Sequence, residues 1–147
     1  MDNISEHITY KEAIHNNHGF ANIPDAATLI KMKYVAKTVF EPVRLFLKMA
    51  IFLSSFYRCV LLNRFVGGVY SSQHVKGEAM DLQCTGNNHK IFFYILDNLD
   101  FDQLIWEFGD DHEPAWVHVS KTLSLNRKQA LKSIKVNGVT KYIPFVA

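Results

Sequence analysis

The segment VRLFLKMAIFLSSFYRCVLL, residues 43–62, is the most apolar part of the sequence and constrains the fold most strongly. Arg44, Lys48 and Arg58 interrupt it, so it lacks the run of about eighteen apolar residues that spans a bilayer. We therefore interpret it as the end of a helix followed by a buried strand, Met49 to Ser55.

The flanking patterns predict helices before this strand and mainly strands after it. Apolar residues recur at helical spacing from Asp25 to about Lys48, with Asp25 as N-cap and Pro42 kinking or ending the regular part. The other predicted elements are a helical turn at 60–65, an asparagine-capped helix at 87–99, strands at 101–108 and 115–120, and a hairpin at 132–143 around Asn137-Gly138. This order predicts an α+β domain with a largely antiparallel sheet.

Length and composition narrow the class of protein further. With 147 residues and neither repeats nor linkers, we expect one domain over residues 1–147. The net charge of +2 comes from scattered lysines and arginines, which gives little support to nucleic-acid binding. The polar N-terminus lacks the apolar core of a secretory signal, so we expect a chain made in the cytoplasm. Two cysteines, Cys59 and Cys84, are too few for a four-thiolate zinc site, and we expect free thiols, although one bridge remains possible.

The stretch SSQHVKGEAMDLQC, residues 71–84, places a histidine and an aspartate around a glycine. If the chain is extended after Gly77, alternate residues share one face of a strand. The two sets are Ala79, Asp81 and Gln83 on one face, and Met80, Leu82 and Cys84 on the other. The apolar set suits the core, so we expect Asp81 to lie on an open face of the sheet.

The same alternation in AWVHVS, residues 115–120, buries Val117 and Val119 and leaves Trp116, His118 and Ser120 on a polar face. Two adjacent strands would then present Asp81 and His118 side by side, with a turn at Gly77 bringing His74 to the same point. Two imidazoles and a carboxylate, with a fourth position open, are the ligands of a catalytic zinc site. Glu107, at the end of the preceding strand, could act as a general base.

Each residue also has a simpler interpretation. A histidine in a turn or strand is often only a hydrogen-bonded polar group, and Asp81 could merely cap a backbone amide. Glu107 could be a solvated carboxylate at a strand end. From the residues alone, the choice between a metal site and a polar turn therefore stays open.

The stretch SSQHVKGEAMD, residues 71–81, carries the pattern Ser-x-His-x-x-Gly-x-Ala-x-Asp, and WVHVS, residues 116–120, adds a later histidine. Together they resemble the peptidase M15 family, in particular small phage and prophage peptidases related to zinc D-alanyl-D-alanine carboxypeptidases. ISEHITYKEA and SSFYRCVLLN also resemble stretches of those sequences. The resemblance covers nearly the whole chain, becomes weak after about Leu123, and implies the Hedgehog/DD-peptidase-like fold.

The resemblance also implies roles for individual residues. His74, Asp81 and His118 would bind one Zn²⁺, and Glu107 would be the catalytic acid/base. Glu107 ranks first because it ends a strand, as the base does in the Hedgehog-like arrangement. Glu113 and His112 are the competitors for this role.

Three further residues are implied around the metal. Arg58 would bind a substrate carboxylate or stabilise the developing oxyanion, Trp116 would contact the substrate, and Ser72 would support the site from behind the ligands. The turn around Arg58 departs from the family pattern. Relatives often have Ser-Gly-Tyr-Arg-Ser-Pro, whereas this chain has Ser-Phe-Tyr-Arg-Cys-Val at residues 55–60, without the glycine and the proline.

The resemblance implies a zinc-dependent peptidase that hydrolyses amide bonds in the peptide stem of bacterial peptidoglycan, as a DD-carboxypeptidase or an endopeptidase of endolysin type. We expect a monomer without nucleic-acid partner or membrane insertion, which acts on the cell wall after release or within a phage or prophage system. The alternative is a zinc-holding wall-binding or phage structural module on the same fold, which catalyses nothing.

Overall fold

The computed structural model of the protein describes residues 2–147, which form helices and one six-stranded sheet. The helices are α1 (Tyr10–Ala13), α2 (Ala26–Val35), a π-helical turn (Ala36–Phe40), α3 (Glu41–Leu47), α4 (Val60–Phe65) and α5 (Asn88–Asn98). The strands are β1 (Phe52–Ser55), β2 (Ala79–Gln83), β3 (Gln103–Glu107), β4 (Trp116–Ser120), β5 (Gln129–Val136) and β6 (Val139–Pro144).

The predicted long helix is present from Ala26 to Leu47 and is irregular in the middle. The Asp25 carboxylate accepts a hydrogen bond of 2.8 Å from the Thr28 N–H, so Asp25 is the N-cap, as predicted. Pro42 has no N–H to donate, and the residues just before it form the π-helical turn, in which the Glu41 N–H bonds the Ala36 carbonyl. The wider turn makes room for the proline ring, which an α-helical turn would crowd.

The sheet has the strand order β1-β2-β4-β3-β5-β6, and only the β3–β5 pair is parallel. The β5–β6 hairpin turns at Asn137 and Gly138, both with positive φ, as the Asn-Gly signal predicts. The predicted α+β class with a largely antiparallel sheet is therefore confirmed.

The hydrophobic core lies between the helices and one face of the sheet. The strands contribute Met80, Leu82 and Cys84 from β2 and the segment after it, and Val117 and Val119 from β4, as the alternation predicts. The opposite face of the sheet lines a cleft. Asp81 lines this cleft, but the expectation of an open position was wrong, because Asp81 is buried between two histidines. Ser120 is buried as well, and its hydroxyl accepts the Gln103 N–H.

Several predicted element boundaries differ from the structure. The first strand begins at Phe52, not at Met49, and it is buried only in part, because Leu53 packs into the core whereas Phe52 is 61% exposed. Helix α5 begins at Asn88, and Asn87 gives no side-chain cap. Instead the Glu113 carboxylate, from the loop before β4, accepts the N–H groups of Asn88 and His89. A carboxylate at a helix N-terminus also interacts favourably with the helix dipole.

Both cysteines are free thiols. Cys59 is the N-cap of α4, where its sulfur accepts the Leu62 N–H, and Cys84 is buried in the core. Within residues 2–147, no helix combines the length and the apolar character needed to cross a membrane.

Candidate metal centre and cleft

Strand pairing brings Asp81 and His118 together. The two residues are direct partners in the antiparallel β2–β4 ladder, as the alternation of side chains predicts. His118 Nδ1 lies 3.0 Å from Asp81 Oδ1, and His74 Nε2 lies 3.3 Å from Asp81 Oδ2. The carboxylate of Asp81 therefore lies between two imidazole rings.

A turn ending at Gly77 brings His74 into this group. Gly77 has φ +70°, and a Cβ there would lie 2.7 Å from the Thr28 side chain and 2.8 Å from Met32. Only glycine fits both the backbone conformation and the contact with α2. The buried His74 ring bonds the Phe56 carbonyl through Nδ1 at 2.7 Å, so Nε2 faces Asp81. A backbone carbonyl thus fixes which ring nitrogen is available as a ligand.

The arrangement fits a single metal ion. One ligand atom from each of His74, Asp81 and His118 lies within 4.8 Å of the other two. Two imidazole nitrogens and one carboxylate oxygen form a donor set that suits zinc and leaves a fourth position for water or substrate. The group could therefore hold one ion.

Charge and burial favour the protonation states of His74 and Asp81 that bind a metal ion. Burial lowers the pKa of His74 despite the neighbouring Asp81, which favours the neutral imidazole that binds metals. Burial by itself would raise the pKa of Asp81, but the interactions with His74 and His118 outweigh it and hold the pKa well below its usual range. Asp81 is therefore ionised at neutral pH.

A second group of possible ligands, Glu6, His7 and Glu41, lies on the surface. The Glu41 carboxylate already accepts hydrogen bonds from the Ser5 hydroxyl and the His7 N–H, and its second oxygen contacts the His7 ring. These bonds connect the N-terminal segment to α3, so we interpret this cluster as structural.

Arg58 lies beside the His-Asp-His group. Its Nε bonds Ser55 Oγ at 2.9 Å, and Nη2 lies 3.4 Å from Asp81 Oδ2. The Arg58 N–H bonds the His74 carbonyl at 3.1 Å, so the backbone after β1 and the His74 turn are connected. Arg58 also lines the cleft.

Asn22 holds the turn that carries Arg58. Its buried amide accepts the Cys59 N–H at 2.7 Å and donates to the carbonyls of Tyr57, at 2.7 Å, and Ile14, at 3.0 Å. Asn22 thus holds the residues directly before and after Arg58, Tyr57 and Cys59. This turn lacks the glycine and the proline of the family pattern. The sequence gives no signal for this role, because Asn22 lies 36 positions before Arg58.

Glu107 ends β3 next to the group, opposite Trp116 on β4. Its carboxylate is buried and accepts a 2.5 Å hydrogen bond from the Ser133 hydroxyl. Burial raises the pKa of Glu107 above the usual glutamate value, although the Ser133 bond opposes this. The two competitors lie elsewhere: Glu113 caps α5 and pairs with His89, and His112 is exposed.

The proposed metal ligands, Arg58 and Glu107 lie in one cleft of about 1100 Å³. Its lining includes the proposed ligands, Glu107, Arg58, Trp116 and Ser72, and also Tyr142 of β6. Trp116 is half-buried and its ring lies 5.6 Å from that of Phe108. The Ser72 hydroxyl accepts the backbone N–H of His74 at 3.3 Å and does not bond the ring.

The protein has a mostly antiparallel α+β fold, and one cleft holds both the His-Asp-His group and a buried carboxylate. These features are typical of hydrolases that use a single metal ion. The family model Peptidase M15 matches residues 6–120, so the chain belongs to the peptidase M15 family, as the motifs predict. Membership of this family suggests a metallopeptidase. No curated protein sequence matches the chain. The match ends with β4, so a single domain over residues 1–147 stays a prediction.

Proposed function

We propose that the protein is a zinc-dependent peptidase that hydrolyses amide bonds in the peptide stem of bacterial peptidoglycan. One observation carries the proposal: the His74-Asp81-His118 group lies in the same open cleft as the buried carboxylate of Glu107. Membership of the peptidase M15 family supports the peptidase reaction. The peptidoglycan substrate is inferred from the resemblance of the motifs to cell-wall peptidases of this family, and the experiment below tests it.

His74, Asp81 and His118 would hold the zinc ion, which supplies Lewis-acid polarisation of the scissile carbonyl and a lowered pKa for a water. Glu107 would accept the proton of the attacking water and pass it to the leaving amine. Its raised pKa suits both steps, because such a carboxylate is a stronger base than an exposed glutamate.

Arg58 would bind a substrate carboxylate or the developing oxyanion, because its guanidinium lines the cleft beside the metal group. Trp116 would contact the substrate from β4, and Ser72 would hold the backbone of the His74 turn. Lys76 and Lys135 line the same cleft, together with Arg127, which is paired with Asp102. Lys76 and Lys135 would favour a substrate that carries carboxylates, as a peptidoglycan stem does.

For the setting, we propose a monomer that acts on the cell wall after release or as part of a phage or prophage system. The chain would trim a terminal residue, as a carboxypeptidase, or cut within the stem, as an endopeptidase. Mass spectrometry of the fragments distinguishes these two, because each releases a different product.

The experiment is digestion of purified peptidoglycan with native protein, zinc-stripped protein and zinc-stripped protein given Zn²⁺. We expect cleavage in the first and third samples, and Glu107→Gln should bind zinc normally but cleave at least about a hundredfold more slowly. Glu113→Gln is the control, since it changes a competing carboxylate that caps α5 and should preserve the rate. Cleavage that survives metal removal would contradict the proposal, and wall binding without new amine termini would favour the non-catalytic module.

A further inference from the structure

The hairpin β5–β6 lies beyond the residues that the family model matches, yet it borders the cleft. Strand β5 pairs in parallel with β3, and the register places Ser133 next to Glu107. The β5–β6 register then places Tyr142 next to Ser133. Glu107, Ser133 and Tyr142 thus occupy one row across three strands.

The Ser133 hydroxyl contacts Glu107 directly. Ser133 is fully buried, and its Oγ donates to Glu107 Oε2 at 2.5 Å while it accepts the Phe108 N–H at 3.2 Å. A hydroxyl has one proton, and an N–H cannot accept it, so that proton is directed to the carboxylate. The bond favours the ionised form and engages Oε2, which leaves Oε1 to take a proton from the cleft.

The backbone around Glu107 depends on the same strand. Phe108 has φ +51°, and its N–H lies 3.3 Å from the Ser133 carbonyl as well as near Oγ. The next residue, Gly109, has φ +68°, and a Cβ there would lie 2.1 Å from the Glu113 carbonyl oxygen. The chain therefore turns sharply after Glu107, and Ser133 holds the first residue of that turn.

We infer that Ser133 is a positioning residue, which fixes one oxygen of the Glu107 carboxylate and aims the other into the cleft. The inference rests on the proposed function, in which Glu107 is the acid/base, and adds that the C-terminal hairpin completes the reactive site. The family-matched segment, residues 6–120, supplies the carboxylate but not the group that orients it.

The test compares Ser133→Ala, Ser133→Thr and Ser120→Ala. Ser120 is a matched control, because it is also a fully buried strand serine whose hydroxyl accepts a backbone N–H, but it bonds Gln103 and not Glu107. We expect Ser133→Ala to lower kcat at least about tenfold with KM changed less than about twofold. Ser133→Thr should recover part of kcat, and Ser120→Ala should keep it. Bound zinc should be the same in all four proteins.

A readout without turnover separates this inference from the proposed function. The carboxyl ¹³C signal of Glu107 is titrated in metal-free protein, where Ser133→Ala should raise the pKa of Glu107 and Ser120→Ala should not. The ionisable groups around Glu107, which stay the same in both variants, are Asp81 on β2, His118 on β4, Lys135 on β5 and Tyr142 on β6.

The outcomes differ for the two proposals. If the native protein cleaves peptidoglycan but Ser133→Ala keeps both kcat and the Glu107 titration, Ser133 does not position Glu107 and the peptidase proposal stands. If the native protein cleaves nothing, the peptidase proposal fails, and the titration alone decides whether Ser133 orients the carboxylate.

Discussion

Replacement of Asn22 by alanine should destabilise the protein strongly, although Asn22 lies outside the proposed reactive groups. The side chain is 3% exposed and makes three hydrogen bonds to backbone groups of two other segments. The variant leaves the Cys59 N–H and the carbonyls of Tyr57 and Ile14 without this partner. An unsatisfied buried polar group costs about 1–3 kcal/mol. An unpaired carbonyl costs less than an unpaired N–H, and the three bonds share one side chain, so their costs do not simply add. We therefore expect the free energy of unfolding to fall by about 3 kcal/mol.

The free energy of unfolding is measured by urea titration in the presence of a chelator, so that metal binding does not contribute. Asn22→Ala should lower the midpoint without changing the slope, because the native fold is kept. The melting temperature should fall by about 10 °C, since each kcal/mol corresponds to about 2–4 °C at this chain length. Asn98→Ala is the control: Asn98 is exposed, bonds only the Tyr94 carbonyl, and should change stability by less than about 0.5 kcal/mol.

The same variant should slow peptide cleavage, because the bonds of Asn22 bracket Arg58 on both sides. Asn22→Asp separates the two halves of the interaction, since it keeps an acceptor for the Cys59 N–H but cannot donate to the Tyr57 carbonyl. A loss of stability below about 1 kcal/mol for Asn22→Ala would refute the reasoning. If Asn22→Ala is destabilised as expected but cleaves at the native rate, Asn22 does not position Arg58 for the reaction.

Gly77→Ala should lower the free energy of unfolding by about 3 kcal/mol, because a positive φ costs about 1–2 kcal/mol and the clash with Thr28 adds to it. Gly86→Ala has a similar φ but open space around its Cβ, so it should lose only about 1–2 kcal/mol, and equal losses in urea would contradict the clash. The Arg127 hydrogen bond lowers the pKa of Asp102 in the folded state, so its stabilisation is fully present above the unfolded pKa of about 3.9 and is lost progressively as pH falls through the lower folded pKa. Arg127→Met should therefore destabilise the protein more at about pH 6 than at about pH 3, and an equal loss at both would exclude this linkage.

The central part of the candidate site could be predicted because it depends on local rules. Side chains alternate along a strand, so the apolar partners of Asp81 and His118 determine which way both residues face. The turn that brings in His74 is predicted by a glycine whose φ is positive in the structure. The burial of Asp81 could not be predicted, because it depends on His74 and Arg58, which come from other segments of the chain and lie against its carboxylate.

The groups that sequence reasoning missed act across long distances in the chain. Ser133 reaches Glu107 only because β5 pairs in parallel with β3, and no local pattern predicts a parallel pair between these strands. The cap of α5 shows the same limit. Asn87 fits the local capping pattern, but Glu113, 25 positions after Asn88, takes the role.

The supports of the site are divided between different parts of the chain. The proposed metal ligands lie on β2, β4 and the turn before β2, whereas Arg58 depends on Asn22 and Glu107 depends on Ser133. Both supporting residues lie outside these central strands. A change at Ser133 should therefore reduce the rate of cleavage and leave zinc binding intact, whereas a change at Gly77 should weaken zinc binding itself. Because the two supports share no contact, their effects on the activation free energy should add in the Asn22→Ala, Ser133→Ala double variant.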